Sequence, residues 1–98
     1  MNTYIILRRS AWESAEELKV AAGRSREVGD GEMSDDIRWI RSYVLDEPEG
    51  RVGTVCVYQA TSPEKVREHA KRSGIAADEV IPVADTVIIR PDPAPVGA

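Results

Sequence analysis

Two stretches of this chain, Ile37 to Asp46 and Val52 to Ala60, place apolar or aromatic side chains at alternate positions. Only Glu47-Pro48-Glu49-Gly50 and Arg51 stand between them. A period of two is the signature of a strand, and Pro and Gly supply turn chemistry. A short connection between two such runs predicts an antiparallel hairpin. Strict alternation would put Ile37, Trp39, Arg41, Tyr43 and Leu45 on one face, with Arg38, Ile40, Ser42 and Val44 on the other. On the second strand Thr54, Cys56 and Tyr58 share a face, opposite Val55, Val57 and Gln59.

Thr3 to Arg9 is rich in β-branched and aromatic residues and reads as another strand. Ser14 and Glu17 form a capping box, after which Leu18, Ala21, Ala22, Ser25 and Val28 recur at helical spacing as a narrow stripe of mostly small residues. Gly29-Asp30-Gly31 is expected to end that helix and open a polar loop through Asp36. A second helix begins at Ser62 with Pro63 in its first turn, turns Val66, His69 or Ala70, and Ser73 inward, and stops at Gly74-Ile75. A last strand is expected from Val80 to Arg90, interrupted at Pro82. The order β-α-β-β-α-β predicts an α+β, ferredoxin-like fold: a four-stranded antiparallel sheet with two helices on one face. Residues 1–90 form the expected domain, and the Pro-rich 91–98 a flexible tail. Such a fold leaves the other sheet face bare, and a bare apolar face in a small domain predicts a homodimer.

Composition narrows the function. Ninety-eight residues make one domain, and 42% hydrophobic with 31% charged suits a globular chain. The longest apolar runs, such as Tyr4-Ile5-Ile6-Leu7, are too short for a membrane span or a secretory signal. A net charge of −4 disfavours nucleic acid, which is bound by phosphate neutralisation. The single cysteine forms no internal disulfide and fits a cytoplasmic location.

Few residues are equipped for chemistry. His69, the only histidine, is a candidate metal ligand or general acid/base; the alternative is a helix residue bonded to a backbone carbonyl. Cys56, flanked by Val55 and Val57, lacks local positive charge, although Arg41 could approach it across the hairpin. Trp39, Tyr43 and Tyr58, with Cys56 and Arg41, could line a ligand pocket; equally they could form core or a dimer seam. No phosphate loop, nucleophile elbow or paired-histidine metal motif is present.

Three segments in combination carry a resemblance: Ile37-Arg38-Trp39-Ile40-Arg41-Ser42-Tyr43-Val44, Val55-Cys56-Val57-Tyr58-Gln59-Ala60, and Val66-Arg67-Glu68-His69-Ala70 with Gly74. They resemble the nickel-binding-protein-like family of small bacterial ferredoxin-like domains, from Tyr4 to about Pro91. The resemblance implies a ferredoxin-like homodimer and nickel or another divalent transition metal, with Tyr43, Cys56, Tyr58, Arg67 and His69 as the matching polar positions. Against the family pattern, Arg41 replaces a common His and Leu7 a common Glu, and neither can ligate a metal. The first expectation is therefore a dimeric protein binding metal through His69 or a small ligand. The second is a cofactor-free binder or enzyme using Trp39, Arg41, Tyr43 and Tyr58, with His69 or Tyr43 moving protons. The third is a non-catalytic interaction module.

Overall fold

The capping signals act where the sequence places them. Ser14 accepts a hydrogen bond from the Glu17 amide at 3.3 Å, starting α1 (Ala15–Glu27). Ser62 accepts one from the Lys65 amide at 3.3 Å, starting α2 (Pro63–Ser73). Gly74 ends α2 at φ 72°, a left-handed conformation that glycine adopts without a steric penalty. The computed structural model describes residues 1–95. With the strands β1 (Asn2–Trp12), β2 (Ile37–Asp46), β3 (Val52–Ala60) and β4 (Glu79–Pro82), the chain order is β-α-β-β-α-β. The strands pair antiparallel in one sheet, in the order β2-β3-β1-β4. This is the ferredoxin-like α+β arrangement. Both helices lie over the sheet face that carries Tyr58, since Ser25 of α1 and His69 of α2 each pack against that ring. Between the layers Ile6, Ile37, Tyr58, Ala60 and Val66 are at most 2% exposed. Among the described residues no helix is long and apolar enough to cross a membrane.

Three expectations change. First, Gly29 and Gly31 do not stop the first helix in a loop. The chain continues into one π-helical turn, Val28–Glu32, closed by the Met33 amide on the Val28 carbonyl at 3.0 Å. Gly29 in this turn packs against the His69 ring, where a Cβ would stand 3.4 Å from Nε2. Second, the alternation of β2 breaks at Ile40. Trp39 lies opposite Tyr58 and Arg41 opposite Val57, so Ile40 is an extra residue, a β-bulge. A one-residue insertion exchanges the faces of everything after it. Trp39, Ser42 and Val44 therefore face the helices, and Arg41 and Tyr43 face the other way. The bulge keeps a guanidinium and a phenol out of the interior and puts a small hydroxyl there instead.

Third, the last strand ends at Pro82, which lacks an amide to continue the ladder, and the Val83 amide makes a final bond to the Thr3 carbonyl at 2.9 Å. The chain then crosses the face away from the helices to reach β2. There Asp92 accepts hydrogen bonds from the Arg41 guanidinium and the Tyr43 hydroxyl. The face expected to be bare is thus spanned by residues 83–92, with an open groove beneath lined by Ile5, Ile40 and Val57. Of the expected tail, Val96–Ala98 lie outside the described residues.

Candidate functional site

The small-residue stripe of α1 has a structural consequence. Ala21, Ala22 and Ser25 do not fill the space above β2 and β3, and a cavity of about 100 Å³ remains. Trp12, Leu18, Trp39 and Val44 form its apolar walls. Beneath it lie Arg8, Ser42, Thr54, Cys56 and Tyr58, whose polar atoms are covered, so that the surface facing the cavity is almost wholly apolar.

Those polar groups are connected. The Trp39 indole donates to Ser42 Oγ at 2.8 Å, and Ser42 Oγ donates to Cys56 Sγ at 2.9 Å. From the opposite side Arg8 Nη1 donates to the same sulfur at 3.3 Å, while Arg8 Nε donates to the Ala76 carbonyl. The buried Cys56 thiol therefore receives two donors. Tyr58 bonds Ser25 Oγ at 3.2 Å, and burial raises its pKa above the ordinary tyrosine value. Two buried polar atoms beneath the cavity, Arg8 Nη2 and Thr54 Oγ1, have no hydrogen-bond partner among the described residues.

Of the residues singled out from sequence, Trp39, Cys56 and Tyr58 meet at this cavity. Arg41 and Tyr43 do not; the bulge places them across the sheet, where both engage Asp92. His69 lies one layer behind Tyr58, ring centroids 5.2 Å apart and edge-on, and is 1% exposed. Its Nε2 donates to the Ser25 carbonyl at 2.9 Å, and its buried Nδ1 has no partner among the described residues. Burial lowers its pKa, outweighing that carbonyl bond, so the imidazole is neutral near pH 7. Arg41, Tyr43 and His69 accordingly do not converge on one ligand.

A metal at His69 does not fit these residues. Among the described residues no three His, Cys, Asp or Glu side chains gather as a ligand set. A ring buried to this depth also cannot be shared across a two-fold axis.

Sequence reasoning overlooked Arg8, Thr54, Ser42, Trp12 and Ser25 as cavity residues. For Arg8 the signal was present: it shares alternation with Tyr4 and Ile6, so a cation sits at a core-facing position of an inner strand. For Ser42 the signal was hidden by the bulge.

Residues 4–83 match the family described as nickel responsive protein SCO4226-like. The chain belongs to this family. The SCO4226-like match spans the three segments that carried the resemblance. A crystal structure of SCO4226 from Streptomyces coelicolor A3(2) shares the fold, with a TM-score of 0.66 at 17% identity, covering 87% of this chain and 99% of that one. No curated protein matches the chain. As a member of the SCO4226-like family, this chain is a small ferredoxin-like domain.

Proposed function

We propose that this SCO4226-like domain binds a small organic molecule in the cavity beneath α1. The observation that supports the reading is a preformed apolar space lying directly over buried polar groups whose hydrogen-bonding capacity is not used up. Trp12 and Trp39 line the cavity, so the two indole N–H signals in a nitrogen-resolved proton spectrum report on occupancy. A fragment screen on tag-free protein is expected to give saturable shifts at both. Ala22→Leu, which fills the cavity from the α1 side, is expected to abolish them while leaving the remaining spectrum intact. If no fragment shifts the indoles, or if Ala22→Leu binds as well as the parent, this reading is wrong.

The family description favours a second reading, nickel binding. Calorimetric titration of tag-free protein with nickel, alongside His69→Ala, tests it. Micromolar binding that disappears in the variant would return the metal role to His69.

We also propose that the protein acts as a homodimer. Supporting this, Val87, Ile88 and Ile89 are 82%, 77% and 79% exposed on the chain that crosses the sheet, in the neighbourhood of the exposed Ile40 and Tyr43. A second copy of the same surface would cover them. Light scattering should report twice the chain mass, and Ile88→Asp should halve it. The lone buried thiol fits a reducing, cytoplasmic setting.

A further inference from the structure

We propose that the molecule taken into this cavity is a short-chain monocarboxylic acid, with its carboxylate held by Arg8 and Thr54. This rests on the ligand-binding reading above and specifies the ligand's chemistry. Arg8 is 1% exposed, and none of the ion pairs among the described residues includes it. An arginine side chain remains charged in proteins, and a buried ion without a counter-charge is strongly unfavourable. The guanidinium spends Nε on the Ala76 carbonyl and Nη1 on a sulfur, a weak acceptor, and Nη2 on nothing. Directly across the β1–β3 ladder stands Thr54, whose hydroxyl is equally unpartnered. The two residues are ladder neighbours on the same sheet face, so a guanidinium N–H turned toward the cavity and the Thr54 hydroxyl would together supply donors for the two oxygens of one carboxylate.

The rest of the lining selects against other anions. Among the described residues Arg8 is the only cation lining the cavity, so a second carboxylate would be left without a partner there. Trp12, Leu18, Ala22 and Trp39 offer apolar contact to a hydrocarbon tail and no further positive charge for a phosphate. A volume of about 100 Å³ suits a tail of a few carbons. Arg8 Nη2 and Thr54 Oγ1 are sealed from solvent, so the guanidinium must turn toward the cavity as the acid enters, giving up the 3.3 Å contact to Cys56.

The test titrates tag-free protein with acetate, propionate, butyrate and pentanoate, each beside its primary amide, with inorganic phosphate as a further ligand, read at the two indole signals. The expected result is saturable binding of at least one acid, about tenfold or more tighter than its amide, because only the acid supplies the counter-charge. Arg8→Met should remove the preference of acid over amide, and Thr54→Val, nearly isosteric, should weaken acid binding severalfold. If Arg8→Met does not fold, the acid–amide comparison in the parent and the Thr54→Val variant decide the matter. Equal binding of acid and amide would overturn the role of Arg8 while leaving a ligand site. Phosphate binding as tightly as the acids would overturn the monocarboxylate class. Absence of binding by acids and amides alike overturns this assignment, and the fragment screen then decides whether the cavity binds anything else.

Discussion

The two faces of the sheet use similar materials in opposite ways. Toward the helices, Arg8, Thr54, Cys56, Tyr58 and His69 are polar residues held at 3% exposure or less. Away from them, Arg41, Tyr43 and Asp92 form a comparable polar cluster that is open to water, and Val87, Ile88 and Ile89 lie uncovered beside it. A buried polar group is costly unless satisfied, and the unsatisfied Arg8 Nη2 and Thr54 Oγ1 on the helix side are the groups the proposed ligand would satisfy. The same groups in water have partners in the solvent and carry no such message. Hydrogen-bonding capacity therefore points to function only where it has been removed from water.

This contrast can be broken by mutation, beginning with the largest effect. Ile6→Ala, at a fully buried position, is expected to cost about 2–5 kcal/mol, whereas Ile88→Ala should stay within about 0.5 kcal/mol of the parent when both are measured by urea unfolding of the monomer. A large cost at Ile88 in the monomer would mean that the crossing segment is part of the core.

Gly74→Ala should lower stability by about 1–2 kcal/mol, since φ 72° is strained for an L side chain. It should also loosen the Ile75-Ala76 turn whose Ala76 carbonyl receives Arg8, a change visible in the indole spectrum. If melting is unaffected, the left-handed cap is not holding that turn.

His69 sharpens the comparison through pH. Its pKa in the folded chain lies below the ordinary 6.5, so between those two values the unfolded state binds a proton that the folded state does not. Its contribution to stability is therefore fully present above about pH 6.5 and is lost as pH falls toward the folded value. Urea midpoints should fall between pH 7.5 and 5.5, and His69→Gln should flatten the part of that fall due to the imidazole. An unchanged slope in the variant would show that the ring is not buried as the neutral form.

The smallest effect is expected on the open face. Asp92 sits below the ordinary carboxylate range because the Tyr43 hydroxyl and then the Arg41 guanidinium favour its charged form. Asp92→Ala should leave global melting unchanged and raise amide exchange only in the crossing segment, because exposed ion pairs contribute little. A fall in exchange protection throughout β2 would show that this contact supports the sheet.

Much of the fold was legible because its signals are local. Ser14 with Glu17, Ser62 with Pro63, and Gly74 with Ile75 each set a helix boundary within a few residues of chain, and element order then selected the topology. The candidate site was legible in part. Trp39, Cys56 and Tyr58 were found because their strands keep the period of two up to the bulge. Arg41 and Tyr43 were placed among them because no residue of β2 announces an insertion; the bulge shows only in the register of β2 against β3. Arg8 was passed over because a charged residue on a strand is ordinarily assigned to solvent.

By itself the sequence determined the elements, their order, the family and the absence of strong catalytic motifs, since these depend on residue type and short spacing. The tertiary structure decided which side of β2 faces inward and that residues 83–92 cross the open face. It also decided that small α1 side chains leave a cavity above an unpaired guanidinium. Each of these depends on how much volume and charge meet when distant segments pack together, a quantity that no local stretch of sequence contains.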